Sequence, residues 1–266
     1  MSLPKDLTKK EPCLNEWAEI IGWRGSIAHG MYVPPEQEFG TDDKDIMVVC
    51  IPPVDYYCGL EEFGSRGTKE IMHNEWDIVI YEAQKFLRLL EKGNPNVLSL
   101  LWLPENMYLY KSGIGQYLID NRDVFACKSV YHSFVGYAKA QLHKMERNAC
   151  KGYMGEKRKR LVEKFGYDTK NASHLIRLLR MGMEFLVDGE LHVEREDAKE
   201  LLDIKMGKWT LSEVKAEAEE LFKLAREAYV RSTLPVKTDH KKVNQICVDM
   251  VSMKLDYNKD TNDGTN

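Results

Sequence analysis

The chain has 266 residues, 43% of them apolar and 30% charged, enough to bury a sizeable core and too ordinary a balance for a disordered or fibrous protein. A formal net charge of −4 argues against a chain that coats nucleic acid along its whole length. No apolar run approaches the ~18 residues that span a bilayer, and the start, MSLPKDLTKKEP, lacks a signal core, so a cytoplasmic protein without membrane contact is expected. Six cysteines, at 13, 50, 58, 127, 150 and 247, form no C-x-x-C pair and are read as free thiols.

Strand-like runs fill the first hundred residues and helical periodicity the rest, with the shift near Pro104. The apolar run Ile20-Ile21-Gly22-Trp23 leads into Gly25-Ser26. Asp45-Ile46-Met47-Val48-Val49-Cys50-Ile51 is β-branched and stopped by Pro52-Pro53, which predicts a buried strand. Trp76-Asp77-Ile78-Val79-Ile80-Tyr81 is a second one, expected to lie antiparallel beside the first, and residues 52–75 form a long connection partly paired to the sheet. Helices are predicted over 83–92, 129–147, 157–165, 169–187, 195–204, 211–231 and 239–255, with Thr169 and Ser212 at helix starts and Gly189 at an end. The expected organisation is a sheet-containing head over 1–110, a helical lobe over 111–255 and a polar, frayed tail over 256–266.

Asp43 and Asp45 are two apart, so on extended backbone both carboxylates leave the same face. Unpaired, they repel; a hard divalent ion such as Mg²⁺ or Mn²⁺ relieves that repulsion and takes phosphate oxygens as further ligands. Asp77 on the next strand supplies a third acid, and three carboxylates at one sheet end suit two-metal phosphoryl chemistry, with Asp77 activating the acceptor hydroxyl. Gly25 lets backbone approach closely, and Ser26 offers a hydroxyl to a triphosphate. Lys170, His174 and Arg177 follow i, i+4, i+7 on one helix face and form a cationic row facing the acids, with Arg180 a weaker member. Tyr137, Lys139 and Gln141 are further candidates for the cleft wall, whereas His29 is expected to pack and support the Gly-Ser loop. Between Lys139 and Arg180 the chain carries a local charge of +8, a surface for a triphosphate or a polyanion.

The segments Gly25-Ser26-Ile27-Ala28-His29-Gly30, Thr41-Asp42-Asp43-Lys44-Asp45-Ile46 and Asp77-Ile78-Val79-Ile80-Tyr81-Glu82 resemble the DNA polymerase beta superfamily of nucleotidyltransferases. The runs 85–97 and 174–181 resemble its subgroup linked to RNA repair, so that the likeness covers roughly residues 17–215. The resemblance implies an α+β fold, a polymerase-beta-like head with a mixed β-sheet followed by a helical bundle lobe, with the nucleotide between them. It implies that Gly25, Ser26, Asp43, Asp45 and Asp77 occupy the motif positions. Ile27 stands where relatives often have Arg, which moves a phosphate contact elsewhere. The function expected is metal-dependent transfer of a nucleotidyl group from a nucleoside triphosphate, ATP by preference, to an acceptor hydroxyl such as an RNA or tRNA end, releasing pyrophosphate. The alternative is a catalytically idle nucleotide-sensing or antitoxin-like protein that acts through a protein partner.

Overall fold

The structure is a computed structural model that describes residues 3–37, 40–148 and 156–263. After helix α1 (Lys5–Lys10), strand β1 (Ala18–Trp23) runs into the short helix α2 (Gly25–Ala28). Strand β2 (Lys44–Cys50), helix α3 (Asp55–Cys58), strands β3 (Thr68–His73) and β4 (Trp76–Glu82), helices α4 (Ala83–Glu91) and α5 (Pro95–Leu101), strand β5 (Tyr108–Lys111) and helix α6 (Gly113–Asp120) follow. The remainder is helical: α7 (Val130–Asn148), α8 (Glu156–Phe165), α9 (Thr169–Asp188), α10 (Ala198–Lys205), α11 (Leu211–Arg231) and α12 (His240–Asp263).

The five strands form one mixed sheet in the order β3-β4-β2-β1-β5. Contrary to expectation, β4 pairs with β2 in parallel, with Asp45 opposite Asp77. The intervening residues explain the direction. Helix α3 and strand β3 take up the long connection, and β3 then turns through Asn74, at φ 52°, into an antiparallel hairpin with β4. The reversal within the hairpin restores the direction of β2. Buried Ile46 and Val48 of β2 and Ile78 and Ile80 of β4 fill the sheet's interior, which is why both strands read as nearly continuous apolar runs.

Helix α9 is the axis of the helical layer, packed against α7, α10 and α11. Gly182 makes the α7 contact close, since a methyl there would lie 2.8 Å from the Phe134 Cβ. Two helix starts differ from the predicted caps. Asp168, not Thr169, accepts from the Asn171 amide, and Thr210, not Ser212, closes a capping box with Glu213. In each case the carboxylate or hydroxyl that reaches the third helical N–H sits one or two residues earlier than expected. Gly189 ends α9 in the left-handed conformation, at φ 74°.

Helix α10 starts at Ala198, later than predicted, and Arg195, in the segment ahead of it, forms ion pairs with Glu184 and Asp197. Strand β5 and helices α5 and α6 had no clear pattern in the sequence. Helix α12 packs on α4 and α6, anchored by buried Val243, Ile246 and Met250 and by a 2.9 Å ion pair from Lys254 to Glu19. It continues to Asp263, so residues 256–263 are helix where a frayed tail was expected; once the turns before them are anchored, each added residue propagates a helix already nucleated. Cys13, Cys50, Cys58, Cys127 and Cys247 are free thiols, and Cys150 lies outside the described residues. Among the described residues no helix is long and apolar enough to cross a membrane.

Helix α6 rests on β1 through Gly115, where an added Cβ would come within 2.2 Å of the Glu19 carbonyl oxygen. Backbone cannot rotate out of the way as a side chain can. Gly115→Ala is therefore expected to lower unfolding free energy by about 1–3 kcal/mol, read from urea titration.

Candidate active site

The turn after β1 builds the floor of a cavity of about 450 Å³. The Arg24 amide donates to the Asp45 carbonyl at 3.0 Å, which lays the start of α2 across the edge of β2. Gly25 then adopts φ 64°, and a Cβ on it would lie 2.2 Å from Asp45 Oδ2. Glycine is needed here twice over, for the left-handed backbone and for the space the carboxylate occupies. Asp43 precedes β2 in a turn where its amide donates to Thr41 Oγ1 at 3.1 Å.

Gly25, Ser26, Asp43, Asp45, Lys170, His174 and Arg177 all line this one cavity. Asp77 does not. It lies beside Asp45 across the parallel ladder, but the Arg24 guanidinium holds its carboxylate at 2.8 Å while also donating to the Ile46 carbonyl. Among the described residues, no three His, Cys, Asp or Glu side chains converge to share one ion. The three acids are thus split by a neighbouring cation, two facing the cavity and one turned to Arg24. Burial pushes the Asp45 carboxyl above its ordinary range, opposed by Arg24 and Lys170 and reinforced by the charges of Asp77 and Asp43.

The helical layer contributes cations. Besides the predicted row, Lys205 at the end of α10 and Lys144 on α7 line the cavity, as do the neutral Asn96, Ser99 and Gln141. Burial pulls the Lys205 ammonium below its usual range, Lys170 adds to the effect and Asp43 opposes it. Of the weaker candidates, Gln141 lines the cavity, Tyr137 is engaged by Asn94 at 2.9 Å, and Lys139 is exposed outside the lining. Part of the basic stretch, residues 149–155, lies outside the described residues.

Arg177 and Arg180 share α9 yet differ in role. Arg180 reaches Asp197 at 2.8 Å, Glu200 at 3.0 Å and Glu217 at 2.8 Å, which ties α9 to the start of α10 and to α11 and removes it from the predicted phosphate row. Three carboxylates already surround it. Arg177 bonds His29 Nε2 and, at 3.6 Å, the Met181 sulfur, and among the described residues it makes no ion pair. Burial and the nearby Arg195 pull its guanidinium down to about 9. His29 is buried, with Nδ1 2.8 Å from the Val193 carbonyl, as expected of a packed histidine, but it also lines the cavity.

The RNA repair pathway DNA polymerase beta family, RlaP, matches residues 22–249. The chain belongs to this family. It is a nucleotidyltransferase of the polymerase-beta type, and the matched span includes every cavity residue named above. Among solved structures, a nucleotidyltransferase-like protein from Exiguobacterium sibiricum 255-15 aligns at 11% identity over 85% of this chain and 74% of that one, with a TM-score of 0.27. No curated protein matches.

Within this family member, Lys205 and Lys144 carried no sequence signal that separates them from any surface lysine. Arg24 adjoins the Gly-Ser turn and was open to inspection, yet its partner Asp77 is 53 positions away and only pairing of the strands brings them together.

Burial, first, and then the adjoining charge of Arg177 hold the His29 imidazole well below its usual value. A histidine whose folded value lies below its unfolded ~6.5 leaves the unfolded chain binding the extra proton, so stability is full above that pH and falls as acid is added toward the folded value. Urea titrations across that window are expected to show a shallower acid decline for His29→Asn than for the wild type.

Proposed function

We propose that the cavity binds a nucleoside triphosphate and that its nucleotidyl group passes to an acceptor hydroxyl at an RNA end, with pyrophosphate as the second product. The observation that carries this reading is the meeting of two carboxylates at the start of β2, Asp43 just before it and Asp45 within it, with Lys170, Arg177 and Lys205 from the helices around one cavity of nucleotide size. Such opposed charge suits a ligand that is itself a polyanion accompanied by a cation.

The donor set fits Mg²⁺ or Mn²⁺, because the acids are oxygen ligands and Asp45 ionises against burial and two neighbouring carboxylates. Asp43 and Asp45 would hold the ion, and Asp77 would join them on leaving Arg24. Bound there, the cation supplies charge to the phosphates and acidifies the attacking hydroxyl. In the transfer, the hydroxyl oxygen forms a bond to the α-phosphorus as the bond to the pyrophosphate oxygen breaks. Asp77 accepts the hydroxyl proton, and Lys170, Arg177 and Lys205 stabilise the charge that gathers on the leaving group. Ile27, where a cation is often found in relatives, is apolar and packs against the core, so these helical cations take over its phosphate contact. Gln141, buried and without a side-chain hydrogen bond among the described residues, offers an amide to a base, with ATP the favoured donor. The basic stretch around α7 and α8 supports RNA or tRNA as the acceptor, and a cytoplasmic setting accords with that substrate.

The Arg24–Asp77 ion pair favours a second reading, an idle nucleotide-sensing or antitoxin-like protein in which Arg24 permanently replaces a cation. The two readings separate on incubation with each α-labelled triphosphate, Mg²⁺ or Mn²⁺ and total RNA. The wild type is expected to label RNA, and Asp43→Asn or Asp45→Asn to lower transfer by about 100-fold or more with the fold retained by circular dichroism. Metal-dependent nucleotide binding with no transfer to any acceptor would select the idle reading. Lys205→Ala is expected to weaken triphosphate binding by roughly tenfold, since a charge-assisted contact contributes about 1.5–3 kcal/mol when buried and less in an open cavity.

A further inference from the structure

His29 stands between the turn that follows β1 and the helix that carries Arg177, and its two ring nitrogens are both engaged. Nδ1 faces the Val193 carbonyl at 2.8 Å, a group that only accepts, so Nδ1 carries the hydrogen. Nε2 faces Arg177 Nη1, and a guanidinium only donates, so Nε2 presents its lone pair. The two contacts together allow one neutral tautomer and no imidazolium. The surrounding charge agrees. Arg177 and His174 face the ring from α9, and Arg195 from the segment before α10, where it is tied to Glu184 and Asp197. Among the described residues no carboxylate touches the ring.

A guanidinium has five N–H groups, and His29 and the Met181 sulfur engage only Nη1 of Arg177. Arg180, one turn on, is surrounded by carboxylates, and Arg195 likewise; both are held above the usual guanidinium range, whereas Arg177 falls below it. The difference is in the partner. A neutral imidazole fixes the position of Arg177 without cancelling its charge, and that charge lines the cavity.

We propose that His29 is a positioning residue for polyphosphate recognition: as the Nδ1–H tautomer it accepts from Arg177 and aims the rest of that guanidinium at the β- and γ-phosphate oxygens of the bound triphosphate. This rests on the triphosphate reading above and assigns the subsite within it. A carboxylate in place of His29 would hold Arg177 equally well but neutralise it, and a protonated histidine would repel it. Because His29 also reaches Val193, the same ring couples the Gly25-Ser26 turn to the segment leading into α10.

Calorimetric binding of inorganic tripolyphosphate, of ATP and of adenosine to the full chain tests the assignment without any need for an acceptor. His29→Ala is expected to weaken tripolyphosphate and ATP by roughly 10–100-fold while leaving adenosine binding unchanged, the range typical of removing a group that orients a ligand-contacting residue. Arg177→Ala should match it, and the double variant should add little further loss. His29→Asn, whose amide can accept from Arg177 and donate to Val193, should restore most of the affinity. In transfer assays the His29→Ala defect should fall on KM for the triphosphate more than on kcat. An equal loss of adenosine and tripolyphosphate binding would make His29 merely structural and overturn the proposal. So would wild-type tripolyphosphate affinity in His29→Ala, provided Arg177→Ala loses it. If the wild type binds neither ATP nor tripolyphosphate, the triphosphate reading itself falls. Nitrogen-15 histidine spectra of the wild type give a readout that survives a misfolded variant: the Nδ1–H tautomer is expected at neutral pH, and an imidazolium signal from His29 there would refute the assignment.

Discussion

Parallel pairing of β2 with β4 concentrates negative charge at one end of the sheet, because the register sets Asp45 directly beside Asp77 while Asp43 continues the same edge outward. Carboxylates so placed repel one another, and the surrounding groups answer that repulsion. Arg24 satisfies one of them, Gly25 leaves room for another, and the cations of α9 and α10 face the cavity that the remaining two line. Moving β2 by one residue against β4 would send Asp45 to the opposite face and dissolve the group. The buried apolar side chains of both strands hold the register against such a slip.

The helical layer handles its own charge in two different ways. Arg180 and Arg195 are enclosed by Asp197, Glu184, Glu200 and Glu217, and this network fastens α9 to its neighbours. Arg177 is fastened by a neutral ring and keeps its charge for the cavity. Arg177 and Arg180 thus stand one turn apart on the same helix with opposite partners, a neutral ring for one and carboxylates for the other. A cation intended for a ligand needs support that does not neutralise it.

The ion pair between Arg24 and Asp77 ties the approach to the Gly25-Ser26 turn to the third acid. In the transfer proposed above, that contact would be given up as a divalent ion and a triphosphate brought their own charge to the site. In an idle protein it is the final state. The same geometry therefore marks the step at which the two readings of the function diverge, and nucleotide transfer rather than nucleotide binding separates them.

Much of the fold was legible because the physical signals are local. The β-branched runs at 46–51 and 78–81, stopped by Pro52-Pro53 or followed at once by a helical stripe, specify buried strands, and α11 was placed to its end residues by its periodicity. The Gly25-Ser26 turn, the Asp43-x-Asp45 pair and the i, i+4, i+7 spacing of Lys170, His174 and Arg177 are likewise local, which is why seven of the eight site candidates meet around one cavity. Strand direction was not legible, because the hairpin of β3 with β4 that reverses the chain draws on half-buried and exposed residues with a weak pattern. Nor was the charge state of any pair. Whether Asp77 faces a cavity or an arginine, whether Arg177 is neutralised or left charged, and whether Lys205 reaches the site at all depend on residues brought together from tens to more than a hundred positions apart. Local sequence determined which groups this protein has and which face of a helix or strand they leave; only the packing of sheet against helices decided which charges meet, because electrostatic partnership depends on distance in space and not on distance along the chain.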